Sequence, residues 1–233
     1  MAKNSKSGKR QSARTTKKQQ AAQRKQRTNM LILGGVVVIF VIGLIVAGGG
    51  LGEGPSPEVA QERLDLDPIL GPETAQVTIV EYGAYGCTAC RAFHQSRTIE
   101  RILNDYPGQV NFTFRDFPVI DPVFDQRAAR VAQCVLDQGE EIYWEFHDVL
   151  YTTARIGEDT ESLIEWADAI GADDAEVQTC VDERRHARTV EYDEDRAINL
   201  GLRSTPSFTV NGQRVIGGSE TALREAVEAA LSS

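Results

Sequence analysis

At 233 residues the chain can hold one ordinary domain with additions, or a small pair. Its formal net charge of −9 conceals two environments: residues 1–52 carry ten Lys and Arg and no acid, a net +10, whereas residues 53–233 carry fifteen Arg, no Lys and all 34 acids, a net −19. The acidic part argues against a polyanionic partner such as nucleic acid, and a basic run beside an apolar stretch reads as a topology determinant or an anionic-lipid contact.

In chain order, residues 1–29 form the basic tail. Met30 to Leu51 then run without a charge, long enough for a helix to cross a ~30 Å hydrocarbon core. Lys and Arg before this span, and their absence just after it, put the tail in the cytoplasm and the rest of the chain outside. The length of the apolar stretch and of its basic flank favour an uncleaved anchor over a signal peptide. No Cys lies near its end, so a lipid-modified cysteine is excluded. Residues 52–70, with Gly54-Pro55-Ser56-Pro57 and Asp67-Pro68, read as a linker, and residues 71–233 as the folded domain. Outside the cytoplasmic membrane disulfides form and persist, so four cysteines there favour two disulfides over zinc ligands.

Val77-Thr78-Ile79-Val80 leads into Glu81-Tyr82-Gly83-Ala84-Tyr85-Gly86-Cys87-Thr88-Ala89-Cys90. That is a strand, a turn loosened by two glycines, and an amphipathic helix over about 87–105. A Cys-x-x-Cys opening a helix sets two sulfurs one turn apart, near enough to bond or to share a metal ion. Cys87, at the first turn, meets unpaired N–H groups and the positive end of the helix dipole. Such a setting lowers a thiol pKa from about 8.5 to roughly 3.5–7.5. Cys87 is therefore the expected attacking sulfur, and Cys90, one turn deeper, the one that resolves a mixed disulfide. On the motif alone a structural disulfide or half of a zinc knuckle stays open. His94, four residues past Cys90, would complete a third-ligand set with both cysteines in a metal-binding or delivery module.

Tyr106-Pro107-Gly108 is a stop, and Val110-Asn111-Phe112-Thr113-Phe114-Arg115 alternates as a second strand. Strand, helix and strand in this order favour a parallel, right-handed unit. From Asp121 to Gly201 the period is helical. Phe124, Ala128, Val131 and Val135 make one stripe, Ile142, Phe146, Val149 and Leu150 a second, and Leu163, Ile164, Ala167 and Ile170 a third. Further helices are predicted over 174–184 and 188–200, with Gly201 as a C-terminal cap. His147 and His186 read as helical surface or packing residues. Pro206 to Val210, Asn211-Gly212 and Gln213 to Ile216 form a hairpin, since Asn-Gly is the favoured two-residue turn. Ser219 caps a last helix ending near Leu231.

The order βαβ, helical block, ββα is that of an α/β thioredoxin-like sheet interrupted by an all-helical insertion at about 121–201. Residues 71–233 resemble the DsbA-like thiol:disulfide oxidoreductases. The resemblance is carried by Gly71-Pro72 and Ala75, Cys87-x-x-Cys90, Phe114-Arg115-Asp116-Phe117-Pro118, Phe146-His147-Asp148, Gly201 with Thr205-Pro206-Ser207, and Asn211-Gly212.

The resemblance implies a cis Thr205–Pro206 bond beside the active sulfurs, with the exposed Thr205 backbone free to pair with an extended client. It places Glu81 where relatives hold a buried carboxylate under the disulfide, able to exchange a proton with Cys90. Cys134 and Cys180 fall on apolar faces of the inserted helices. Three pairings are formally possible, and the expected one is Cys87–Cys90 with Cys134–Cys180, the latter contributing about 4 kcal/mol. The implied activity is disulfide exchange with secreted or membrane protein clients, as an oxidant. Reoxidation would fall to a DsbB-like or vitamin K epoxide reductase-like membrane partner. No organic cofactor or metal is implied, because the electrons reside on sulfur. A reductase or isomerase of the same fold is the alternative. Many relatives have Pro or His between the active cysteines, so Thr88-Ala89 should make this disulfide less oxidising.

Overall fold

Val77-Thr78-Ile79-Val80-Glu81-Tyr82-Gly83 has six of its seven residues buried, the pattern of a strand covered on both faces. In the computed structural model, which describes residues 67–153 and 155–233, this segment is β2 (Val77–Gly83), the central strand of five in the order β1-β3-β2-β4-β5. The expected tail 1–29, span 30–51 and linker as far as residue 66 lie outside the described residues. Among the described residues no helix is long and apolar enough to cross a membrane.

β3 (Val110–Asp116) runs parallel to β2 from Val77↔Val110 to Gly83↔Asp116, the pairing expected of a strand–helix–strand unit. β4 (Ser207–Val210) pairs antiparallel on the other edge of β2, and β5 (Gln213–Val215) follows it through the hairpin. Asn211 and Gly212 both have positive φ, 47° and 79°, which the tight hairpin turn requires. The last residues of the expected linker belong to the fold: Ile69–Leu70 form β1, antiparallel to β3. Asp67 holds this end down by pairing with the buried Arg115 guanidinium. Pro and Gly upstream signalled a loop, but the short apolar pair finds an open edge of β3.

The single helix expected over 87–105 is two: α1 (Thr88–Gln95) and α2 (Thr98–Asp105). Ser96 Oγ donates to the Phe93 carbonyl at 2.6 Å, competing with the helix ladder. Arg97 then takes φ 56°, a left-handed conformation that no α-helix continues through.

The insertion is α3 (Pro122–Leu136), α4 (Glu140–Thr152), α5 (Thr160–Ala169), α6 (Asp174–Asp182) and α7 (Ala187–Asn199). Asp121, Asp159 and Asp173 cap α3, α5 and α6 by accepting backbone N–H bonds. α3 packs against α4, α5, α6 and α7, and its Cys134 bonds Cys180 of α6 across a Cα–Cα distance of 5.8 Å, as expected. α8 (Glu220–Leu231), capped by Ser219, packs on β2, β4 and β5.

Candidate active site

β2 ends at Gly83, where a Cβ would meet Phe114 at 2.4 Å, so only glycine lets the chain pass over β3 at this point. The turn that follows delivers Cys87 as the N-cap of α1, and its sulfur accepts the Cys90 backbone N–H at 3.3 Å. The free Cys87 thiol also lies 3.4 Å from the Thr205 carbonyl, to which it donates. The Thr205–Pro206 bond is cis, and the loop before β4 thus sits directly over the sulfur. Thr205 itself is buried and its carbonyl is engaged by Cys87, in contrast to the exposed backbone expected from the sequence.

The two thiols are set apart by their surroundings. A hydrogen bond from the Cys90 thiol pulls Cys87 down from an ordinary 9.0 to about 5, against the opposing effect of burial, with the N–H groups of Cys90 and Ala89 adding to the pull. Burial pushes Cys90 well above the ordinary thiol range, assisted by its bond to Cys87 and by the Glu81 charge. Thr88 and Ala89 are exposed and supply no charge. The pull on the Cys87 proton comes instead from neighbouring neutral donors.

Glu81 is 4 % exposed. Burial, and then the Cys87 charge, raise its pKa to about 8, so it is protonated at neutral pH and within electrostatic reach of both sulfurs. Its Oε1 has no hydrogen-bond partner among the described residues.

Several residues of the site carried no clear signal in the sequence. Asp125 of α3 accepts the Gly86 N–H at 2.7 Å with one oxygen, and those of Ile120 and Asp121 at 3.1 and 2.9 Å with the other. It ties the turn before Cys87 to the loop after β3. A Cβ on Gly86 would lie 2.7 Å from this carboxylate. His147, offered above as a surface or packing residue, is a packing one: it is buried among Tyr85, Phe114, Tyr143, Trp144 and Tyr151. Its Nδ1 pairs with the Tyr85 hydroxyl at 3.2 Å. Burial holds its pKa down to about 3, so the ring stays neutral. The Arg91 guanidinium reaches back to the Tyr151 carbonyl, fixing α1 on α4.

The alternative metal set of Cys87, Cys90 and His94 is not assembled. His94 Nε2 turns to Asp148, 3.2 Å away, and its ring stacks on Tyr151. Among the described residues the one three-ligand grouping of compatible spacing is Cys134, Cys180 and His186, and its two sulfurs are bonded to each other. His186 pairs with Asp137 at 2.9 Å.

Residues 64–229 match the family described as Thioredoxin. The chain belongs to the thioredoxin family. Within it the chain is DsbA-like: it is 28 % identical over 167 residues to Disulfide bond formation protein D of Bacillus subtilis, spanning 65 % of this chain and 70 % of that one. It is 32 % identical over 171 residues to the Na(+)/H(+) antiporter NhaA 1 of Salinispora arenicola, covering 72 % of this chain and 25 % of the antiporter. The chain thus spans about a quarter of the length of the curated antiporter relatives it matches. The crystal structure of oxidised BdbD from Bacillus subtilis superposes with a TM-score of 0.65 at 24 % identity, over 73 % of this chain and 95 % of that one. This likeness establishes the shared thioredoxin fold with its helical insertion.

Proposed function

We propose that this thioredoxin-family chain is a membrane-anchored, extracytoplasmic thiol:disulfide oxidoreductase that works as an oxidant on secreted or membrane protein thiols. The observation that carries the reading is the split pair, a Cys87 thiol held at about 5 against a buried Cys90 thiol pushed far up. A stabilised Cys87 thiolate favours the reduced form, and a pair whose reduced form is stabilised is a strong oxidant. The kinship with Disulfide bond formation protein D supports the same direction. The charge asymmetry about residues 30–51 and a Cys134–Cys180 bond of the kind that persists outside the cytoplasm support the location.

In this reading a client thiolate attacks Cys87 of the Cys87–Cys90 disulfide. Cys90 leaves and takes the proton of Glu81. The second client thiol, as thiolate, attacks the client sulfur of the mixed disulfide and releases Cys87 as a thiolate, which needs no proton. Until its second thiol reacts, the client can be displaced by Cys90, which returns its proton to Glu81. Loss of the Cys87 proton frees the Thr205 carbonyl to pair with an extended client backbone. Electrons reside on the sulfurs, and a DsbB-like or vitamin K epoxide reductase-like membrane protein removes them.

Equilibration of the full-length chain with glutathione, followed by alkylation of the thiols, tests the direction. The expected potential lies nearer the roughly −120 mV of strong oxidants than the roughly −270 mV of thioredoxin-type reductants. A value at the reducing end would overturn the oxidant role, and exchange that survives Cys87→Ser would overturn the enzyme.

A further inference from the structure

Beside the Cys134–Cys180 bond the fold gathers two further metal-type donors. Asp137 follows Cys134 by three residues as the C-cap of α3, and His186 follows Cys180 by six, just ahead of α7. Arg184 takes φ 56° and the Arg185 N–H returns to the Cys180 carbonyl at 3.2 Å, so the chain reverses after α6 and brings the imidazole back over Cys180. His186 Nε2 then lies 2.9 Å from Asp137 Oδ2, and the same oxygen lies 3.7 Å from Cys180 Sγ. The donor atoms of Cys134, Cys180 and His186 all lie within 4.8 Å of one another.

A disulfide sulfur has no proton to give a carboxylate, so the oxidised bond gains no hydrogen bond from Asp137. Two thiolates would use the same surroundings differently. Two sulfurs, an imidazole nitrogen and a carboxylate oxygen make a four-donor set of the kind that binds zinc tetrahedrally. Metal–ligand bonds of about 2.0–2.3 Å put neighbouring donors about 3.3–3.8 Å apart, so the Asp137–His186 pair opens slightly and the sulfurs part once their bond is broken. His186 Nδ1 lies 3.4 Å from the Thr189 hydroxyl, the kind of outer partner that orients a ligating imidazole. Gln138 pairs with the Asp173 backbone at 2.8 and 3.1 Å, tying the end of α3 to the start of α6 independently of the sulfurs and keeping the donors together after reduction. Both cysteines are almost wholly buried, whereas the His186 and Asp137 side chains are 13 % and 33 % exposed, so an ion enters from their side.

We propose that Cys134, Cys180, His186 and Asp137 form a redox-gated zinc site, closed to metal while the two sulfurs are bonded and binding one Zn²⁺ when they are reduced. A dithiol reductant supplies the two electrons: it becomes a disulfide, and the Cys134–Cys180 bond becomes two thiols. Zn²⁺ then displaces both thiol protons to solvent and forms two Zn–S bonds, one Zn–N bond and one Zn–O bond. Exchange with a disulfide reverses the sequence, the two thiolates giving up two electrons, re-forming their bond and releasing the ion. The adjoining Arg185 is neutralised by Glu176 and Glu183 at 2.6 and 2.7 Å. The site shares no residue with the Cys87–Cys90 pair and stands whether or not that pair acts as an oxidant.

The full-length chain carrying Cys87→Ser and Cys90→Ser, in which only Cys134 and Cys180 supply thiols, provides the test. Reduced with a phosphine that is then removed, it is titrated without oxygen with Co²⁺, whose visible bands report tetrahedral coordination and whose near-ultraviolet bands report thiolate ligation, and then with Zn²⁺ as competitor. One Co²⁺ per reduced chain is expected, displaced by Zn²⁺, and none in the oxidised chain. His186→Ala and Asp137→Ala should each weaken binding at least about tenfold, since loss of an outer-shell partner alone costs about that much. Zn²⁺ should also raise the urea midpoint of the reduced chain, because it binds the folded state. Absence of the tetrahedral thiolate–cobalt bands, or binding left unweakened in either variant, would overturn the site. So would metal uptake by the reduced chain with no gain in its urea midpoint, because that marks capture by unfolded thiols.

Discussion

Two thiols three residues apart ionise in opposite senses because one caps a helix and the other lies inside it. Cys87 receives the Cys90 N–H and the Cys90 thiol, whereas Cys90 is fully buried. Alkylation of the reduced chain should therefore follow a single titration with its midpoint at about 5, rising toward neutral pH, with Cys90 unmodified throughout. A midpoint close to that of an ordinary thiol would remove the basis for the exchange chemistry. Glu81 carries the converse prediction. Its pKa is 4.5 when exposed and about 8 in the fold, so the stability it confers is fully present below 4.5 and lost as pH rises through 8. Glu81→Gln lacks this loss, and its unfolding free energy from urea titration should overtake that of the wild type across this window by an amount on the order of a few kcal/mol. Asp116, raised to about 7 by burial, acts with the same sign in both chains. The difference between the two curves thus isolates Glu81, and parallel curves would mean that Glu81 ionises freely.

The strand–turn–helix that carries the cysteines was legible from the apolar run Val77–Val80, the two glycines and the Cys-x-x-Cys, because each of these is a local signal. The break between α1 and α2 was not. Ser96-Arg97 contains neither Gly nor Pro, and the break depends on Ser96 finding both the Phe93 carbonyl and the Thr98 hydroxyl. Asp125 was hidden for a different reason. An acid in the first turn of a helix needs no special explanation, and its three backbone partners lie in two segments that only the fold brings together. The crowding at Gly86 is its counterpart, visible once both are placed. Asp125→Ala should destabilise the chain by about 3–5 kcal/mol, because it leaves buried N–H groups unpaired. It should also move the Cys87 titration, since the Gly86–Cys87 turn loses its tie. A variant with unchanged denaturation and unchanged Cys87 alkylation would show that the turn is held by other contacts.

Taken whole, the folded part sets a five-stranded sheet against a helical block through the packing of α7 on β3 and of α4 on β1, and the block is closed on itself by Cys134–Cys180. The pairing was anticipated from the expected extracytoplasmic setting and from the apolar helix faces that carry both cysteines, and the fold accounts for it: α3 is the helix against which the others pack, and α6 presents Cys180 to it. The bond spans 46 residues, and closing a loop of that size in the unfolded chain corresponds to about 4 kcal/mol on the chain-entropy argument. Cys134→Ala with Cys180→Ala should lower the denaturation midpoint accordingly. Both side chains are almost wholly buried, so a small packing loss adds to the entropic one. The helical block frames the active turn through Asp125, His147 and Tyr151, yet the bond itself lies between α3 and α6, away from the α1 cap. The double variant should therefore keep the Cys87 titration at about 5 while it unfolds more readily. A shift of that midpoint in the still-folded double variant would show that the second disulfide sets the geometry of the first pair as well as securing the domain. An unchanged denaturation midpoint would show that the reduced block is already held by its apolar contacts.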